Sequence, residues 1–88
     1  MTVKLNRDFI THDTEDESLL VPVGGAAFNG LVKGNHTLGA ILDLLKSETT
    51  EAEIVAAMRE RFSGPEEIIA RDVRRALTEL RRIGALDE

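Results

Sequence analysis

The sequence predicts an α+β domain, in which a small three-stranded antiparallel sheet is followed by three helices. Residues 9–33 hold three short runs rich in β-branched, aliphatic or aromatic side chains, separated by an acidic turn and by Gly24 and Gly25. Residues 36–46, 51–62 and 65–83 then carry apolar side chains at helical three- and four-residue spacing. Helix start and stop residues stand at the ends of these stretches. A short second helix, a tight turn and a longer third helix, with a sheet attached, is the pattern of a small winged-helix-like domain.

The last stretch is the most strongly patterned, and the rest of the chain is expected to cover its apolar face. On a helical wheel Ile69, Val73, Ala76, Leu77, Leu80 and Ile83 share one side, and Arg71, Arg74, Arg75, Thr78, Arg81 and Arg82 the other. Asp72 and Glu79 lie together on one flank, at the border between the faces. Pro65 supplies a helix-compatible φ, and Glu66 and Glu67 put negative charge where the helix dipole favours it. Gly84 is suited to the left-handed conformation that stops a helix, with Leu86 folding back onto the apolar side.

Upstream, Phe9, Ile10, Thr11 and His12 form the first extended candidate. The run Asp13, Thr14, Glu15, Asp16 and Glu17 lacks the alternating ligands and central glycine of a calcium loop, and reads as a solvated hairpin connection. Ser18, Leu19, Leu20, Val21, Pro22 and Val23 form the second strand. Pro22 has no N–H for a ladder, so the strand is expected to be an edge or bulged there. The third strand covers Ala27, Phe28, Asn29, Gly30, Leu31, Val32 and Lys33, with Phe28 and Val32 facing one way and Asn29, Leu31 and Lys33 the other. Gly30 in its middle has two readings. It makes a bulge in a twisted strand, or it marks an exposed edge kept open for an incoming strand.

Asn35 is placed to cap the first helix, whose apolar face carries Leu38, Ile41, Leu42 and Leu45. Thr50 and Glu53 have the spacing of a capping box and open the second helix, with Ile54, Val55, Met58 and Phe62 on its apolar side. Ser63, Gly64 and Pro65 break it. The expected core is Leu38, Ile41, Leu42, Leu45, Ile54, Met58, Phe62, Val73, Leu77 and Leu80.

Eighty-eight residues are expected to make one domain over residues 1–88, with a modest core. Only 3% of residues are aromatic, all Phe, so aliphatic side chains must fill the interior. Without cysteine there is no disulfide, thiolate metal site or cysteine nucleophile, which fits a reducing cytoplasm. The first residues lack the apolar run of a signal peptide, and no segment is suited to spanning a bilayer. The formal charge of −5 argues against a general polyanion binder.

Catalysis finds little support. His12 and His36 lie in separate elements with no metal-ligand spacing, and read as surface residues. Ser18, Ser47 and Ser63 sit in no nucleophile-elbow context, and Gly24 with Gly25 is too short to cradle phosphate. The arginines of the last helix have three readings: contacts to DNA phosphates or guanine edges, contacts to acidic side chains of a bound peptide, or a solvated exterior balanced by pairs such as Glu67 with Arg71. No cofactor or metal is expected.

An ordered set of residues resembles the pyrroloquinoline quinone biosynthesis protein D family, the prototype of the precursor-peptide recognition element. The set is Asn35, His36 and Thr37 followed by Ile41, then residues 50–55, then Asp72, Val73, Leu77 and Leu80, and finally Gly84, Ala85 and Leu86. Two positions depart from the family: Gly34 stands where leucine is usual, and Ala76 where an aromatic is usual. The resemblance implies a non-catalytic domain that takes the leader segment of a ribosomally made precursor as an added strand. It also implies delivery of that precursor to a modifying enzyme, often a radical S-adenosylmethionine protein. The added strand is expected along Ala27, Phe28, Asn29, Gly30, Leu31, Val32 and Lys33. Asp72, Arg75, Ala76, Glu79 and Arg82 on the neighbouring flank of the last helix are expected to select its side chains. Ala76 leaves room for an apolar side chain, while Arg74 and Arg81, on the other flank, are expected to matter less.

Two other functions suit the same fold. One is a winged-helix DNA-binding transcriptional regulator, which the net charge and the acidic 13–17 turn oppose. The other is an interaction module that docks on an enzyme without touching its substrate. An unpaired third strand is also able to pair with its own copy, giving a homodimer.

Overall fold

The computed structural model describes residues 2–23, 30 and 32–88. The strands are β1 (Lys4–Leu5), β2 (Phe9–Asp13), β3 (Ser18–Pro22) and β4 (Val32–Gly34), followed by α1 (His36–Leu44), α2 (Glu51–Arg61), α3 (Glu66–Arg82) and β5 (Leu86–Asp87). The expected three-stranded antiparallel sheet is present in the order β2-β3-β4, and the three expected helices follow it.

The acidic run closes the β2–β3 hairpin as a turn. The Thr14 amide donates to Glu17 O at 2.8 Å, and the Glu17 amide donates back to Thr14 Oγ1 at 3.1 Å. Pairing runs from Phe9 opposite Pro22 to Asp13 opposite Ser18. The Val23 amide donates to Asp8 O at 2.7 Å, so β3 residues alternate with Val23, Val21 and Leu19 turned to β2. Pro22, Leu20 and Ser18 therefore turn toward β4, and Pro22 costs the β2–β3 ladder no hydrogen bond. The described β3–β4 ladder pairs Ser18 with Gly34, Leu19 with Lys33 and Leu20 with Val32. By the same alternation the Lys33 N–H and C=O face away from β3.

The third strand differs from its expected extent. β4 runs one residue past Lys33, to Gly34, and Gly30 stands in a bend rather than in a strand interior. Ala27, Phe28, Asn29 and Leu31, like the turn glycines Gly24 and Gly25, lie outside the described residues.

Asn35 and Thr50 cap as expected: each side-chain oxygen accepts from the amide three residues on, Leu38 N and Glu53 N, both at 3.1 Å. Helix α3 starts after Pro65 with Glu66 and Glu67 in its first turn. It stops at Gly84, whose φ is +77°. There the Gly84 amide donates to Arg81 O at 3.1 Å and the Ala85 amide to Leu80 O at 2.9 Å, the two bonds of a Schellman motif. Leu86 then packs back against the core.

Two elements escape the hydrophobic pattern. β1 and β5 pair antiparallel, with Lys4 opposite Asp87 and Leu5 opposite Leu86, and Val3 bridges Thr49. This pairing buries Val3, Leu5 and Ala85. The core otherwise holds Phe9 and Leu20 from the sheet, Ala40, Ile41, Leu42 and Leu45 from α1 and its end, Ile54 and Met58 from α2, and Val73, Leu77 and Leu80 from α3. Leu38 and Phe62, expected inside, are half-buried and packed against that core. Among the described residues, no helix is long and apolar enough to cross a membrane.

Helix α1 sits close to the sheet because position 39 is glycine. A Cβ there would overlap Ser18 Oγ and lie 3.0 Å from Ser18 Cβ, and Ser18 is only 2% exposed. Glycine inside a helix ordinarily costs about 0.5–1 kcal/mol relative to alanine. Gly39→Ala is nevertheless expected to destabilise by about 1–3 kcal/mol through overpacking. Ser18→Gly in the same chain should restore part of the loss, and a denaturant-melt cycle of the four proteins measures it. Additive losses would show that the contact does not set the helix position.

Candidate functional site

The two faces of α3 have different surroundings. Its apolar stripe meets the core, while the flank carrying Asp72, Arg75, Ala76, Glu79 and Arg82 stands across an open groove from β4. The groove has a volume of about 460 Å³, within the range typical of ligand pockets. Ile41 and Leu80 line its base, and Val32, Leu38, Ala76 and Ile83 add apolar walls. Asn35 and Thr37 line the end where β4 passes into α1.

The structure thus brings six of the twelve candidate residues to one groove: Val32, Asp72, Arg75, Ala76, Glu79 and Arg82. Lys33 and Gly30 are described but are not among the lining residues, Lys33 being exposed on β4 and Gly30 half-buried in its bend. Ala27, Phe28, Asn29 and Leu31 lie outside the described residues. The groove also uses Asn35, Thr37, Leu38, Ile41, Leu80 and Ile83, which the sequence marked as cap, core or helix-stripe positions or, for Thr37, only as part of the resemblance. Chain continuity held the signal for the first of these, because Asn35 stands two residues past Lys33, the expected end of the third strand.

Of the two positions that depart from the resembled pattern, Ala76 lines this groove and Gly34 lies against the lining residue Leu38. A Cβ at Gly34 would overlap Leu38 Cδ2 and lie 2.9 Å from Leu38 Cβ, so the Leu38 side chain occupies that room. Ala76, half-buried, leaves its part of the groove unfilled.

The charges of α3 are mostly matched. Arg82 donates to Glu79 Oε2 through Nε at 3.0 Å and Nη2 at 2.7 Å, so these two groove residues largely neutralise each other. Asp72 lies 3.9 Å from Arg71, the partner that takes the place of the expected Glu67. On the opposite flank Arg74 faces Glu51 at 3.9 Å, and Arg81 forms a two-pronged pair with Glu88 at 2.7 and 2.6 Å. Hydrogen bonding from Arg81 holds the Glu88 carboxyl below its ordinary range. A carboxyl lowered on folding adds stability that is present above its ordinary value and is lost as pH falls through the lowered one. Arg75 differs from these neighbours: among the described residues it has no carboxylate within 4.0 Å. Four of the five α3 arginines thus lie within 4.0 Å of a carboxylate, which offsets part of the positive charge that phosphate binding needs. Among the described residues, no group of three or more His, Asp or Glu side chains is placed to hold a metal ion.

Known proteins agree with this architecture. The chain is similar to a solved structure described as TbiB1 in complex with the TbiA(beta) leader peptide, with a TM-score of 0.78 and 21% sequence identity. The match covers 96% of this chain and 94% of that one, and at such identity it is a likeness of fold. No curated protein sequence matches significantly. The family model described as Coenzyme PQQ synthesis protein D (PqqD) matches residues 17–86, from the sheet through α3 to β5. The chain therefore belongs to the PqqD family.

Proposed function

We propose that this chain is a non-catalytic domain that binds the leader segment of a ribosomally synthesised precursor peptide as a strand added along β4. It then delivers the precursor to a modifying enzyme, such as a radical S-adenosylmethionine protein. The observation that carries this reading is the joint geometry of β4 and α3: an outward-facing strand edge beside an apolar groove. Family membership and the fold shared with TbiB1, which holds a leader peptide, support it.

The physical division of labour follows from the two walls. An incoming strand pairs with the outward Lys33 backbone groups, a contact that supplies affinity with little regard for sequence. Side chains of that strand that point at α3 enter the apolar groove, where burial contributes roughly 1.5–3 kcal/mol for a large apolar residue. Arg75, unmatched by a carboxylate, favours an acidic residue beside that apolar one, whereas Asp72 disfavours it at the other end.

Amide chemical-shift mapping with the leader peptide of the precursor encoded beside this gene tests the placement. Shifts are expected along residues 30–34 and at Arg75, Ala76 and Glu79, and hydrogen exchange of the Lys33 amide is expected to slow. Arg75→Glu should weaken an acidic leader about three- to tenfold, since an exposed pair is worth ~0.2–1 kcal/mol and reversal adds repulsion. Shifts confined to β2, or to the Arg74 and Arg81 flank, would remove the proposal.

A further inference from the structure

Beyond the β4–α3 groove, a second and smaller concavity opens where the end of α2 meets the start of α3. Its volume is about 190 Å³, more than the roughly 150 Å³ that suffices for a benzene ring in an apolar cavity. Ile41, Met58 and Val73 form its buried floor, and Phe62, Ile68 and Ile69 its walls. Ile68 is 45% exposed, a large aliphatic side chain facing water on a helix whose exposed positions are otherwise mostly charged. Nothing in the packing of the core requires an isoleucine there.

The two concavities are adjacent: Thr37, Ile41 and Asp72 line both, so the smaller one borders the groove on its Thr37 and Asp72 side. Ile68 precedes Ala76 by eight positions on α3, which at ~1.5 Å per residue is about 12 Å. An extended chain covers that distance in about four residues at ~3.3 Å each. Four is an even number, so two side chains at that separation leave a strand on the same face.

We infer that the concavity lined by Met58, Phe62, Ile68 and Ile69 is a second apolar subsite for the same peptide that pairs with β4. This rests on the peptide-binding reading above. The ligand class is thereby narrowed to peptides with two large apolar side chains about four residues apart, one over Ala76 and one against Ile68. The residue between them passes Asp72 and is therefore neutral or basic. The distal anchor lies on the Thr37 and Asp72 side of the groove.

A random linear peptide library displayed on messenger RNA, selected on the intact chain, supplies ligands without assuming a natural partner. Enriched peptides are expected to share two large apolar residues four positions apart. Replacing the distal one by alanine should cost about tenfold in affinity. Ile68→Asp should cost a similar factor for the parent peptide and almost nothing for the alanine version, with a thermal melt confirming the fold. If Ile68→Asp does not fold, the alanine peptide on the unaltered chain carries the test, and unchanged affinity overturns the second subsite. Peptides with a single anchor, still blocked by Ala76→Trp, would overturn the subsite and leave the groove reading intact. No enrichment, or binding insensitive to Ala76→Trp, would overturn both. A dimer in sedimentation that Ile68→Asp disperses would assign the concavity to a second copy instead, and would also overturn the inference.

Discussion

Leu77→Ala is expected to lower the stability of this protein by about 2–5 kcal/mol, the range for truncating a buried leucine. Leu77 is 1% exposed and sits on the α3 stripe that the other core elements cover. Removing its branched end leaves a void bounded by elements that cannot collapse independently, since the Schellman turn and the β1–β5 pair hold the end of α3. A domain of this size has on the order of 5–15 kcal/mol in total. The melting temperature should therefore fall by roughly 10 °C or more. A variant that melts with the parent would show that this stripe is not the centre of the core.

Ala76→Trp should have the opposite profile, with stability nearly unchanged and peptide binding lost. Ala76 is half-buried in the lining of an open groove rather than inside the core, so a larger side chain has somewhere to go. An indole there fills the space that a ligand side chain would occupy, and forfeits burial worth roughly 1.5–3 kcal/mol. Binding of a leader peptide should drop by about tenfold to a hundredfold or more, with the thermal melt within a few degrees of the parent. Titration calorimetry beside a thermal melt separates the two quantities. A variant that binds like the parent would move the anchor away from Ala76.

The sequence by itself determined the three helices and the first hairpin, because each rests on local chemistry. Helical spacing, the Asn35 and Thr50 caps, the Gly84 stop and the acidic turn all act within a few residues of themselves. It also determined which flank of α3 carries Arg75, Ala76 and Glu79, since a helix places its side chains by arithmetic alone. Tertiary structure decided what distance along the chain conceals. Two-residue strands have no period to detect, so the pairing of Lys4 and Leu5 with Asp87 and Leu86 appears only once the ends meet. Gly39 gave no local signal, because its role is the room it leaves for Ser18 on another element. The charge pattern of α3 was legible as residues but not as partners. Glu51 and Glu88, which take up Arg74 and Arg81, arrive from α2 and from beyond β5, and Arg71 lies nearest its neighbour Asp72 rather than Glu67. Arg75 and Ala76 acquire their joint significance in the same way: only the approach of β4 and the start of α1 turns a helix flank into one wall of a groove.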